Sequence, residues 1–85
     1  MVHLQIVKGF LTGRVITEPE ETRACVRFEA RFEPHTNTEV TVTGSAREEA
    51  RKVKVGDRIT IEKLANLGYC KVAARSLARL VSIPV

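Results

Sequence analysis

Hydrophobic and polar residues alternate along three stretches of this chain, and that period defines its strands. In CVRFEARFE (25–33), Val26, Phe28, Ala30 and Phe32 fall on one face and Arg27, Glu29, Arg31 and Glu33 on the other. That is the pattern of a half-buried antiparallel strand. TEVTVTG (38–44) alternates with Val40 and Val42 inward, and DRITIEKL (57–64) does so with Ile59 and Ile61 inward. LQIVKGFLTGRVI (4–16) is apolar but too interrupted by glycine for a helix, so it reads as a strand. TEPEETRA (17–24) is a polar turn around Pro19, PHTN (34–37) is a loop and ANLGY (65–69) is a short loop.

The period changes in SAREEARKVKVG (45–56). Ser45 stands at an N-cap position, Glu48 three residues on completes a capping box, and Ala46, Ala50 and Val53 share one helical face before Gly56 ends the segment. The last segment, CKVAARSLARLVSI (70–83), fits two periods. As a helix it places Lys71, Arg75, Arg79 and Ser82 in one polar arc opposite Leu77, Leu80 and Val81; as a strand it also puts Lys71, Arg75 and Arg79 on one face. Periodicity favours the helix. Topology favours the strand, because four strands and a helix leave an open edge that a fifth strand closes. We take the strand.

The resulting order, β-β-β-α-β-β, is the layout of an all-β fold with one short helix, the five-stranded Greek-key barrel called the OB-fold. The chain is one such domain over residues 1–85. A small barrel needs its first strand to bend sharply so that it pairs with both halves, and Gly9 and Gly13 are the expected bending points.

KGFLTGRVITEPE resembles the first strand and turn of bacterial single-stranded DNA-binding proteins, and VRFEARFE resembles their second strand. TEVTVTGSAREEARKVKVGDRITIE is similar to their third strand, helix and fourth strand, and CKVAARSLARL to their closing strand. VGDRITIE also resembles the matching segment of primosomal replication protein N, a smaller dimeric relative. The resemblance covers nearly the whole chain and implies binding of single strands. It also implies a homodimer or homotetramer paired through the first strand, residues 3–8, with replication or primosome proteins as further partners. The departures are specific. There is no Trp, Asn37 and Thr43 stand near positions where those proteins carry aromatics, and the hairpin between strands four and five is cut to ANLGY. The sequence ends at Ile83-Pro84-Val85 with no Gly/Pro-rich tail, which favours the primosomal type or a phage or plasmid homologue.

Charge sharpens this picture. Residues 1–62 carry ten Lys/Arg and ten Asp/Glu, whereas residues 63–85 carry Lys63, Lys71, Arg75 and Arg79 and no acid. The net charge of +4 therefore lies in the last 23 residues, and a concentrated basic segment steers polyanions toward one face. Single strands are held by basic grooves and aromatic platforms. The candidates are Lys8, Arg14, Arg27 and Arg31, the row Lys71, Arg75 and Arg79 on the last strand, and Tyr69 as a stacking platform at a loop tip. Against each cation stands the plain reading of a solvated charge paired across strands with Glu29, Glu33 or Glu39. Phe28 and Phe32 are core; Phe10 is undecided, with core favoured.

His3 and His35 stand alone, with no carboxylate or cysteine at ligand spacing, and no phosphate-binding glycine loop occurs, so neither an enzyme, a metal nor a cofactor is expected. No run of 18 apolar residues spans a membrane, and MVHLQIVK lacks the marks of an export signal. Cys25 and Cys70 are then expected as free thiols in a cytoplasmic protein. The reading is a single-strand DNA binder of little sequence specificity, in replication, recombination or repair. Two alternatives remain: an OB-fold assembly or adaptor module, and a binder of structured RNA.

Overall fold

The computed structural model describes residues 9–32 and 36–80. Lys8, Glu33, His3, His35, Val81 and the expected pairing edge at residues 3–8 lie outside them. Strands β1 (Gly9–Val15), β2 (Glu20–Glu21), β3 (Val26–Phe32) and β4 (Thr36–Val42) precede a short helical stretch. This is a 3-10 turn at Gly44–Ala46 that runs into α1 (Arg47–Ala50). Strands β5 (Arg58–Gly68) and β6 (Lys71–Leu80) follow. The sheet order is β1-β5-β6-β4-β3-β2, and β1 also pairs with β3, which closes the barrel. Five long strands, closed with the helical stretch between the third and fourth, make the expected OB-fold.

The alternating stretches fold as their period requires. Val26, Phe28, Ala30 and Phe32 on β3, Val40 and Val42 on β4, and Ile59 and Ile61 on β5 are all buried, and Ala50 and Val53 belong to the same core. A fully buried Val or Ile contributes about 1.5–3 kcal/mol, so this inward set is the main source of stability. Residues 71–80 form a strand, as closure demanded, and its parallel pairing with β4 joins β5 to the β4–β3 half of the sheet. The helical periodicity there reflects a bulge, described below.

Closure depends on β1 serving two neighbours. Gly13 and Arg14 pair with Ile59 and Arg58 on β5 and also with Phe32 and Arg31 on β3. A Cβ at Gly13 would stand 2.5 Å from the Phe32 ring and closer still to the Arg31 carbonyl oxygen. Glycine is therefore required at 13 for close approach. At Gly9 a Cβ would meet nothing within 4 Å among the described residues, so close approach gives no reason for glycine there.

Three further expectations need correction. The helix ends at Ala50 rather than Gly56, and no side chain caps either helical turn, so the Ser45–Glu48 capping box is not made. Arg47 anchors the stretch instead, donating to the carbonyls of Gly44 (3.1 Å) and Arg23 (3.0 Å). Beyond it, the Lys54 amide donates to Asp57 Oδ2 (2.9 Å) and the Asp57 amide donates back to the Lys54 carbonyl (3.0 Å). These bonds capture the chain in a tight turn, with Gly56 at φ +98°, where a helix would otherwise continue. Finally, ANLGY is not a loop: β5 runs through Gly68, and only Tyr69 and Cys70 turn the chain before β6.

Candidate nucleic-acid interface

Tyr69 is the most exposed large hydrophobic side chain among the described residues, at 96%. It occupies the tip of the β5–β6 hairpin, whose last pair is Gly68 with Lys71. Cys70 beside it holds φ +55°, the left-handed conformation that turns the chain back. The ring is therefore offered to solvent rather than packed, as a stacking platform needs. Beneath the hairpin, Lys63 and Lys71 share a groove with Leu11, Phe32 and Asn66. Phe10 points outward at 71% exposure, opposite Glu62 on β5, and so is not core. Its place follows from the alternation of β1, in which residues 10, 12 and 14 face out.

The cations expected on β6 do not form one row. Glu62 pairs with Ser76 and Lys63 with Ala74, so Arg75 is bulged out of register. Inward positions accordingly run 72, 74 and then 77, and Arg79 lands on the opposite face from Lys71 and Arg75. Arg75 approaches Glu62 (3.7 Å) and Arg79 approaches Glu49 of α1 (3.4 Å). A spacing of four keeps one face only where the ladder is unbroken.

Arg27 is placed among acids. It pairs across strands with Glu20, approaches Glu39 (3.9 Å), and lines a groove with Glu18, Glu29 and Thr17. Glu29 and Glu39 stand directly opposite each other on β3 and β4. This part of the outer surface repels phosphate.

Arg14 and Arg31 are brought together. They are direct cross-strand neighbours, and Arg58 is the direct neighbour of Arg14 on its other side. Arg31 Nε donates to Asn37 Oδ1 (3.2 Å), its own neighbour on β4. Among the described residues none of the three arginines has a carboxylate within ion-pair distance. Arg58 was not singled out from the sequence. The alternation of RITIE marks it as outward, but its partner Arg14 lies 44 positions away and only the barrel's register joins them.

Both cysteines are free and half-buried. Among the described residues no three His, Cys, Asp or Glu side chains gather to hold a metal ion, and no helix is long and apolar enough to cross a membrane.

The chain is thus a closed OB-fold barrel with an exposed aromatic at a hairpin tip and, on its outer face, three adjacent arginines with no carboxylate partner among the described residues. No family model matches the chain, and no curated protein matches it. Among solved structures, the crystal structure of the mitochondrial single-stranded DNA-binding protein Rim1 from S. cerevisiae is similar, with a TM-score of 0.71 and 14% identity over 91% of this chain and 96% of that one. At that identity the likeness concerns the fold.

Proposed function

We propose that this protein binds single-stranded DNA with little sequence specificity, in replication, recombination or repair of DNA. The observation that carries the reading is Tyr69, a fully presented ring at the tip of a hairpin beside two lysines, on a barrel shaped like that of Rim1, a single-stranded DNA-binding protein. Proteins of this kind stack successive bases on aromatics and follow the backbone with cations, and each stack is worth about 1–3 kcal/mol. With Tyr69 and Phe10 as the exposed aromatics, affinity rests mainly on charge and falls steeply with salt. The reading includes a cytoplasmic protein acting as a dimer or tetramer, without cofactor or catalytic step.

Fluorescence anisotropy of labelled oligo-dT, titrated at several salt concentrations with duplex DNA and a hairpin RNA as competitors, tests it. Binding that falls log-linearly with salt and resists both competitors is the expected result. Tyr69→Ala should then weaken affinity by about 5- to 150-fold, the equivalent of one lost stack, with Tyr69→Phe close to wild type. Absence of binding at low salt overturns the reading in favour of a protein-assembly module, and effective competition by the hairpin RNA moves it to structured RNA.

A further inference from the structure

Resting on that reading, we propose that the single strand crosses the barrel at right angles to its strands, with a base on Tyr69 and successive phosphates on Arg31, Arg14 and Arg58. The register supplies the row. Arg58 on β5, Arg14 on β1, Arg31 on β3 and Asn37 on β4 are direct cross-strand neighbours in sequence across four strands. Directly opposite residues project to the same side, and neighbouring strands lie about 4.8 Å apart, so the four span about 14 Å of outer surface. β6 runs parallel to β4 with Lys71 beside Glu39. Lys71 opens β6 beside Glu39, two positions along β4 from Asn37, so the hairpin turn lies toward the Asn37 end of the row.

The charge arrangement is what points to a ligand. Like charges directly opposite each other destabilise a sheet. Arg14 nevertheless has an arginine on both sides, and none of the three has a carboxylate partner among the described residues. Five other basic side chains have carboxylate partners: Arg27 with Glu39, Arg51 with Glu21 and Glu48, Lys52 with Glu49, Arg75 with Glu62 and Arg79 with Glu49. Arg23, Arg47, Lys54, Lys63 and Lys71 have none among the described residues, and what sets the row apart is that its three cations are direct cross-strand neighbours. Stacked, uncompensated guanidiniums relieve their repulsion by taking a polyanion, and the guanidinium fork matches phosphate oxygens in pairs. The Asn37 amide holds the Arg31 head in place at one end of the row.

The test is the salt dependence of oligo-dT binding by the whole protein, for Arg14→Gln, Arg31→Gln and Arg58→Gln singly and together, with Arg51→Gln as the control on a compensated charge. On single strands each phosphate contact contributes about 0.7 to the log–log slope. The slope should flatten by about 0.7 in each single variant and by about 2 in the triple one, with Arg51→Gln at the wild-type slope and Arg58→Lys retaining it. Thermal melting at low salt supplies the second readout. Removing mutually repelling charges should leave the melting temperature unchanged or raise it, whereas arginines with a structural role would lower it. Wild-type binding with an unchanged slope in the triple variant overturns the row and leaves the single-strand reading standing. No wild-type binding overturns both.

Discussion

A methyl group added at residue 13 would enter the Arg31 carbonyl and the Phe32 ring, where β1 leaves β5 for β3. The carbonyl belongs to a ladder and cannot step aside. Gly13→Ala should therefore destabilise the barrel by about 1–3 kcal/mol, in the range of an overpacked core. Calorimetry should show the melting temperature lowered by about 4–8 °C per kcal/mol in a domain of this size. Gly9→Ala, which meets nothing within 4 Å, should stay within about 0.5 kcal/mol of wild type. Equal losses at both sites would show that Gly13 has no special place in closure. The two glycines look alike in GFLTG, because a bend and a close approach leave the same residue behind. What separates them is the second partner strand, and that is a fact of tertiary register.

The β5–β6 hairpin shows where elements outrun sequence signals. Alternation made β3, β4 and the start of β5 legible, because one wet and one dry face impose a period of two over a whole strand. ANLGY has loop-like residues, yet β5 continues through Gly68 because its pairing with β6 persists, shifting register after Glu62, Lys63 and Asn66. The same irregularity explains why residues 70–83 fit a helix: the inward positions 72, 74 and 77 mix steps of two and three. The hairpin closes on Cys70 at φ +55°, a conformation costing an ordinary L residue about 1–2 kcal/mol and a β-branched one more. Cys70→Val should therefore be less stable than Cys70→Asn by at least about 1 kcal/mol, since asparagine tolerates that region. Urea denaturation measures the difference, and parity between the two variants would mean that the turn relaxes at little cost.

At the scale of the whole molecule, a total of charge describes this protein less well than the position of each charge. The sequence places its excess of +4 in the last 23 residues, but in the barrel Arg75 and Arg79 approach carboxylates of β5 and α1. Three adjacent guanidiniums with no carboxylate partner among the described residues come instead from β1, β3 and β5, each inside a locally balanced stretch. No one-dimensional count could have joined Arg14, Arg31 and Arg58, whereas Tyr69 was legible because a lone aromatic at a turn has no core to fill. The acids define the limit of the surface. Glu29 and Glu39 face each other two positions along their strands from Arg31 and Asn37, and Glu39 holds Arg27 at 3.9 Å. A strand crossing at Arg31 passes close to both carboxylates, within a Debye length of about 8–10 Å at ordinary ionic strength. Glu39→Gln removes one of them, relieves its repulsion with Glu29 and releases Arg27 toward the phosphates. Oligo-dT affinity at low salt should then rise and the salt slope should steepen by about 0.7, one added contact. Stability should change little, because an exposed ion pair of this kind is worth about 0–1 kcal/mol. Affinity unchanged or lowered in Glu39→Gln, with the melting temperature intact, would mean that the strand takes a path away from this face.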